Sequence, residues 1–238
     1  MTQTENSLLA VLIDADNVSS KFAEPILKEI NSFGSPALKR VYGDWSNGNL
    51  NGWKDTVVHL GMVARQETAN TSGKNASDIG LVIDAMDLLH SGRFDGFVLV
   101  SSDSDFTALA NRIREQGLTV VGIGESKTPT SLRNACNRFV LIENLAEDPE
   151  KPISSGQSTS SKVSPKNAVP LIKGAMVKMA QDDEWYHLGQ LGHIIIANNR
   201  DFDSRTYGCS NLSTLLRNSG KFELKKVSSG FKVRLKAA

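Results

Sequence analysis

Five aspartates carry the chemistry this sequence can be expected to do. Asp14 and Asp16 close the apolar run Leu8–Ile13. Asp103 and Asp105 lie in Ser101-Ser102-Asp103-Ser104-Asp105-Phe106, directly after the apolar run Gly96–Val100, and Asp78 opens a stretch of helical period. Carboxylates gathered in one place repel one another. Divalent cations relieve that repulsion, and hard oxygen ligands suit Mg²⁺ or Mn²⁺. Such a site fits phosphodiester hydrolysis, in which metal activates water and stabilises charge on phosphoryl oxygens without a protein nucleophile. Any one of these aspartates reads equally well as a helix cap or turn residue. Their joint placement points to a metal site.

The elements that must position them follow from periodicity. Leu8–Ile13, Ala37–Tyr42, Gly61–Gln66, Gly96–Val100, Leu118–Ile123 and Phe139–Ile142 read as strands. Between them, residues 21–32, Lys54–Leu60, Asp78–His90, Phe106–Gln116 and Thr130–Ala135 read as helices, with Ser77 as cap of the third and Gly117 as the stop of the fourth. Gly43–Gly52 reads as a mobile loop and Thr68–Ser77 as a polar one. Strictly alternating strands and helices predict an α/β fold, a parallel sheet with helices on both faces. Ligands of such sheets bind at the carboxyl ends of the strands, where the five aspartates fall.

Other residues gain supporting roles from this placement. Asn17 can orient Asp14, and Ser101 and Ser102 can hold the acidic loop through backbone hydrogen bonds. Asp84 lies about 120° around the helix from Asp78, so the two cannot both face one ion. Set among Leu81, Val82, Ile83 and Met86, Asp84 is expected to be partly buried and hydrogen-bonded. It is assigned, with Asp16, to support the metal ligands, whereas Asp87 reads as solvated. Lys74 and Asn75 can meet a substrate phosphate or be solvated loop residues.

The net charge of +1 conceals a split. Residues 1–150 carry 13 Lys and Arg against 20 Asp and Glu, a balance of −7, and residues 151–238 carry 14 against 6, a balance of +8. Such asymmetry suits a nucleic-acid partner, or two halves that attract each other. Residues 149–166, rich in Pro, Ser, Lys and Gly, read as a flexible linker between a domain at 1–148 and a second at 167–238. In the second, Val169–Met179, Leu188–Ala197 and Ser210–Arg217 read as helices and Phe222–Val227 with Phe231–Leu235 as a hairpin. Lys221, Lys225, Lys226, Lys232, Arg234 and Lys236 cluster around that hairpin, and Arg205 and Arg217 extend the patch toward RNA phosphates. Tyr207, Phe222 and Phe231 can stack on bases, although aromatics in so small a domain more often form its core. Two distant cysteines, Cys136 and Cys209, argue against a disulfide framework and fit a reducing cytoplasm. None of the four histidines stands at zinc-ligand spacing from a cysteine. No secretory signal or membrane span is expected.

Three motifs in order, Leu12-Ile13-Asp14-Ala15-Asp16-Asn17, Lys74-Asn75-Ala76-Ser77-Asp78 running into Val82-Ile83-Asp84-Ala85-Met86, and Val100-Ser101-Ser102-Asp103-Ser104-Asp105-Phe106, resemble the NYN domain of PIN-like nucleases. The resemblance spans about residues 8–145. It implies a Mg²⁺- or Mn²⁺-dependent ribonuclease, more an endonuclease than an exonuclease, with Asp14, Asp78, Asp103 and Asp105 as catalytic metal-binding acids. Family members often carry an aspartate just before the last basic-Phe pair. Asn137 stands there in Cys136-Asn137-Arg138-Phe139, and its carbonyl oxygen is a candidate ligand. The C-terminal Phe202-Asp203-Ser204-Arg205-Thr206-Tyr207-Gly208, with Leu212-Ser213-Thr214-Leu215-Leu216 and Phe222-Glu223-Leu224, resembles the LOTUS or OST-HTH winged-helix domain. That resemblance implies RNA as partner, with a second copy of the chain or other RNA-processing proteins as further candidates.

Two rivals remain at this level. Asp14-Ala15-Asp16-Asn17-Val18 also fits the D-x-D-x-V motif of haloacid dehalogenase-type phosphatases, with Asp14 as nucleophile and Asp16 as general acid. A catalytically degenerate RNA-binding module is the other, and Asn137 is the residue that motivates it. A receiver-type domain lacks its aspartate, since Val63–Gln66 offers none.

Overall fold

The computed structural model describes residues 7–46, 48–66, 76–145, 163–180, 183–228 and 230–236. The chain divides into two compact units, Met1–Glu147 and Asp148–Ala238. The first alternates strand and helix: β1 (Leu8–Asp14), α1 (Ala23–Ile30), β2 (Ser35–Gly43), α2 (Asn51–His59), β3 (Val63–Gln66), α3 (Ala76–His90), β4 (Gly96–Val100), α4 (Thr107–Glu115), β5 (Thr119–Gly124), α5 (Thr130–Ala135) and β6 (Arg138–Leu141). The six strands are parallel in the order β3-β2-β1-β4-β5-β6.

Strand β1 is buried from Leu9 to Asp14 and β4 along its whole length. Both are covered on two faces, which explains their near-continuous apolar sequences. On one face Leu9, Val11 and Ile13 pack with Ile26 and Ile30 of α1 and with Trp53 and Val57 of α2. On the other, Ala10, Leu12, Phe97 and Leu99 pack with Leu81, Ala85 and Leu89 of α3 and with Leu109 and Ile113 of α4. Glycine is required at two positions. Gly117 takes φ +81 just after α4 and stops it. At Gly124 a Cβ would stand 2.6 Å from the Ser101 carbonyl oxygen, so only glycine lets the carboxyl end of β5 close on the loop after β4.

The order of strands reverses across β1 and β4. Their neighbours on either side run outward in opposite directions, and the crevice at the carboxyl ends of this pair is where such sheets bind ligands. Asp14 ends β1, and Ser101–Asp105 follow β4.

The structure corrects the sequence reading at several places. Helix α3 begins at Ala76, so Ser77 lies inside it and is not its cap; the Ser77 hydroxyl donates instead to Asp16 Oδ2 at 3.0 Å. The stretch predicted as a mobile loop holds a 3₁₀ turn at Gly48–Leu50, and Leu50 is buried. There the Trp45 indole N–H donates to the Arg65 carbonyl at 2.8 Å, and Trp53, just beyond, donates to the Val18 carbonyl at 2.9 Å, which anchors both ends. Residues 149–162 of the predicted linker, and Lys74 and Asn75, lie outside the described residues. Residues 163–166 already belong to the second unit. The Val163 N–H donates to the Thr206 carbonyl at 3.2 Å, and a 3₁₀ turn starts at Pro165.

The second unit contains α6 (Val169–Met179), β7 (Tyr186–His187), α7 (Leu188–Asn198), α8 (Leu212–Ser219), β8 (Phe222–Val227) and β9 (Gly230–Leu235). Its three-stranded antiparallel sheet has the order β7-β9-β8. The two-residue β7 is too short to show a period. The core gathers Ile172, Met176, Leu191, Ile195, Leu215, Leu216, Phe222 and Val233.

Phe97 is fully buried in the centre of the first unit. Phe97→Ala is expected to destabilise that unit by about 3–5 kcal/mol. Urea unfolding followed by tryptophan fluorescence would measure it as a lowered midpoint at unchanged slope.

Candidate functional site

The site is built outward from Asp14, the last residue of the central strand, only 1% exposed. A buried carboxylate must have its oxygens occupied. Oδ2 accepts from the Ser101 hydroxyl at 2.8 Å and from the Asn17 side-chain amide at 2.6 Å. Oδ1 accepts from the backbone N–H groups of Asp16 at 3.2 Å and Asn17 at 3.3 Å. Burial raises the Asp14 pKa, and the bonds from Ser101 and Asn17 oppose that rise. All four lone-pair directions are engaged, so ligation of a cation would exchange one of them, the long Asn17 N–H bond being the weakest.

Ser101 links two acids. While its hydroxyl donates to Asp14, its oxygen accepts the Asp103 N–H at 3.1 Å. Asp103 then caps the 3₁₀ turn Ser104–Phe106, its Oδ1 accepting the Asp105 N–H at 2.9 Å. Ser102 accepts the Glu125 N–H at 2.9 Å and so ties the loop after β4 to the end of β5. Ser101 and Ser102 are both buried, whereas Asp105 and Asp16 are exposed.

Asp78 closes the group. Its pKa is pushed up to about 6, first by burial and then by the negative charges of Asp14, Asp103, Asp16 and Asp105. Asp78, in the first turn of α3, thus lies within electrostatic reach of Asp14 and Asp16 at the end of β1 and of Asp103 and Asp105 in the loop after β4. Among the described residues no three acid, cysteine or histidine side chains already close on one point as a coordination shell. The donor set fits a hard divalent cation: several carboxylate oxygens and no sulfur or imidazole among the group.

Asp84 is not part of this group. Arg40 and the Tyr42 hydroxyl both donate to its carboxylate, and Arg65 Nε stands 3.8 Å away. Burial and the neighbouring Asp84 raise the Tyr42 pKa well above its ordinary value. The assignment of Asp84 beside the metal ligands is corrected. Strand β2 places Arg40 and Tyr42 under the flank of α3 that carries Asp84, away from the flank of Asp78. Two polar residues on the buried face of β2 were the available signal. Asn137 is corrected as well. Its N–H donates to the Val120 carbonyl at 2.8 Å, and its Oδ1 accepts the Val120 N–H at 2.9 Å. It precedes β6, which is parallel to β5, so it lies at the amino edge of the sheet, opposite the aspartates.

In the second unit the predicted RNA contacts divide. Arg205 is held by Asp203, with Nη2 to Oδ2 at 2.7 Å, and is a structural ion pair. Lys232 pairs with Asp183 at 3.3 Å, and Arg234 with Glu223 at 2.8 Å and Glu184 at 3.4 Å. Arg234 also lies over the Trp185 ring, 4.8 Å from its centroid. Arg217 lies over Phe231 at 5.7 Å. Lys221, Lys225 and Lys226 are exposed. Phe222 is core and Tyr207 packs on Phe202, leaving Phe231 as the half-exposed aromatic of the patch.

A parallel α/β unit with an acidic carboxyl edge at its switch point, joined to a small helical unit with a three-stranded sheet, is the architecture of a PIN-like nuclease domain followed by a nucleic-acid-binding module. The NYN domain model matches residues 8–143, and the chain belongs to that family of PIN-like nucleases. The OST-HTH/LOTUS domain model matches residues 160–234. The pairing supports an RNA nuclease or RNA-binding role in general terms. No curated protein matches the chain. Among solved structures, a protein of unknown function from Vibrio parahaemolyticus is 19% identical with a TM-score of 0.50, over 60% of this chain and 96% of its own. It shares the fold. An uncharacterised protein from Nitrosomonas europaea is 24% identical over 39% of this chain and 92% of its own, with a TM-score of 0.29. No helix among the described residues is long and apolar enough to cross a membrane.

The raised Asp78 pKa sets a sign for pH dependence. A carboxyl whose folded pKa lies above its unfolded value, about 3.9, favours the folded state while protonated, and stability falls as pH rises from about 4 to 6. In chelator, Asp78→Asn is expected to remove that part of the slope and to raise Tm at pH 7 above wild type. Thermal melts of both proteins across pH 4–7 measure this; parallel curves would contradict the crowding of charge at Asp78.

Proposed function

We propose that this chain is a Mg²⁺- or Mn²⁺-dependent ribonuclease of the cytoplasm. It hydrolyses RNA phosphodiester bonds at the acidic carboxyl edge and holds the RNA through its basic second unit. What supports the proposal is the placement of Asp14 at the end of β1, of Asp103 and Asp105 directly after β4 and of Asp78 in the first turn of α3, tied together by the hydrogen bonds of Ser101 and Ser77. Asp14, Asp78, Asp103 and Asp105 would hold the metal. When bound, the metal supplies activation of water and neutralisation of charge on the phosphoryl oxygens. The residues of the chain do the positioning. Ser101 fixes Asp14 relative to Asp103, and the Asn17 side-chain amide donates to the same Asp14 oxygen while its backbone N–H meets the other. Ser77 on α3 grips Asp16 and so keeps the start of α3, with Asp78, against the end of β1. Asp16 and Asp105 are exposed, and cutting within the RNA strand is the mode we propose. Lys221, Lys225 and Lys226, with Arg217 on Phe231, are the cations best placed to meet phosphates in the second unit.

The phosphatase alternative requires Asp14 as an attacking nucleophile. It also leaves Asp78, in the first turn of α3, without a role. The degenerate-module alternative drew on Asn137, which lies at the other edge.

Asp14→Asn and Asp103→Asn are each expected to lower RNA cleavage by about 10²-fold or more, the scale of losing one preorganised electrostatic contact to the transition state. Cleavage of labelled single-stranded RNA with Mn²⁺, Mg²⁺ or EDTA, beside a phosphomonoester control, measures it. Full activity in either variant would remove the proposed site, and phosphomonoester turnover without RNA cutting would favour the phosphatase.

A further inference from the structure

On the α3 side of the sheet, toward its amino edge, a hollow of about 350 Å³ opens beside β2, β3 and the residues before β4, with Arg65 at the end of it nearer the acids. Leu38, Arg40, Val63, Arg65, Arg93 and Phe94 line it, so three guanidinium groups share its walls, with no carboxylate among the described lining residues. Asp84 stands behind Arg40 and is already occupied, because Arg40 and the Tyr42 hydroxyl both donate to it. Arg65 stands 3.8 Å from the same carboxylate, beyond hydrogen-bond length, and its side chain is 44% exposed. The pair of arginines thus carries one positive charge more than Asp84 neutralises. An exposed guanidinium is a planar fork of donors, and phosphate geometry matches such a fork. Arg93, lying over Phe94 at 5.9 Å, extends the positive wall.

The register places this cation beside the acids. Arg65 pairs with Tyr42, and Tyr42 pairs with Asp14. Arg65 therefore sits two strands from Asp14 at the same level of the sheet, about 10 Å away at the usual strand spacing. Neighbouring phosphates of an extended RNA strand cover such a span. Along α3, Asp84 is about 9 Å from Asp78. A strand whose scissile phosphate lies at the acid edge would carry a flanking phosphate to Arg65.

We infer that Arg65, backed by Arg40 and Asp84, is a phosphate-binding point that holds the RNA strand beside the acid edge. This positioning role rests on the ribonuclease reading and adds to it a contact on the first unit itself. Because the acid edge alone repels RNA, a fixed cation next to it answers a need the metal ligands cannot meet.

The test uses the full-length protein and a short labelled single-stranded RNA. Binding is read by fluorescence anisotropy in EDTA over a range of salt, and cleavage separately with Mn²⁺. Arg65→Ala is expected to weaken binding 3- to 10-fold and to lower the magnitude of the salt slope by about 0.7, the value for one phosphate contact on a single strand. KM should rise by a similar factor with kcat within about twofold, Arg65→Lys should recover part of the affinity, and Tm should hold because Asp84 keeps Arg40 and Tyr42. Unchanged affinity and KM in Arg65→Ala would overturn the inference. So would Arg65-dependent binding of inorganic phosphate without any change in RNA affinity, which would make the hollow a small-anion site. If wild type fails to cut RNA yet Arg65→Ala still weakens binding in EDTA, the ribonuclease reading falls and the phosphate contact stands.

Discussion

A charged carboxylate at the buried head of a central strand is tolerated only if its oxygens are met by donors, and the α/β unit is arranged around meeting that demand at Asp14. The donors come from two directions. The turn after β1 contributes Asn17 and two backbone N–H groups, and the loop after β4 contributes Ser101. The second contribution is possible only because β4 is the neighbour of β1 in the sheet. Gly124 lets β5 close behind the same loop, and Ser102 anchors it there. The hydrogen bonds that make Asp14 affordable therefore also set where Asp103 and Asp105 stand.

Helix α3 keeps two acid systems apart. Asp78, in its first turn, has its pKa raised by burial and then by the charges of Asp14, Asp103, Asp16 and Asp105. Asp84, on another flank of the same helix, is neutralised by Arg40 and bonded to Tyr42. Removing one partner from such a partly buried pair costs far more than the pair contributes net, so Asp84 serves stability and orientation of α3. The contrast is chemical. One carboxylate has its countercharge built in, whereas among the described residues no ion pair reaches Asp14, Asp78, Asp103 or Asp105.

The second unit uses its charges differently. Part of its positive excess is spent internally, on Asp203, Asp183, Glu184 and Glu223. These pairs brace a small core whose sheet has only three strands, while Lys221, Lys225 and Lys226 stay exposed. Both cysteines are buried, one in each unit, and no disulfide joins them.

Sequence by itself determined the alternation of strand and helix, the fall of five aspartates at strand ends and helix starts, and the two families, because periodicity and motif order are properties of the chain. It also placed the stop of α4 at Gly117, where only a residue free to take positive φ serves. Tertiary structure decided which strand lies beside which and which edge each residue occupies. Asn137 looked like a ligand because it precedes a strand in a familiar motif, yet a residue before a parallel strand stands at the amino edge. Ser77 looked like a cap and became a tether for Asp16. Arg205 looked like an RNA contact and was claimed by Asp203 two residues away. Arg65 attracted no notice, since its nearness to Asp14 exists only through the order β3-β2-β1. Hydrogen bonds and ion pairs between distant segments depend on that order, and the order is chosen by packing both faces of the sheet together, which no local pattern records.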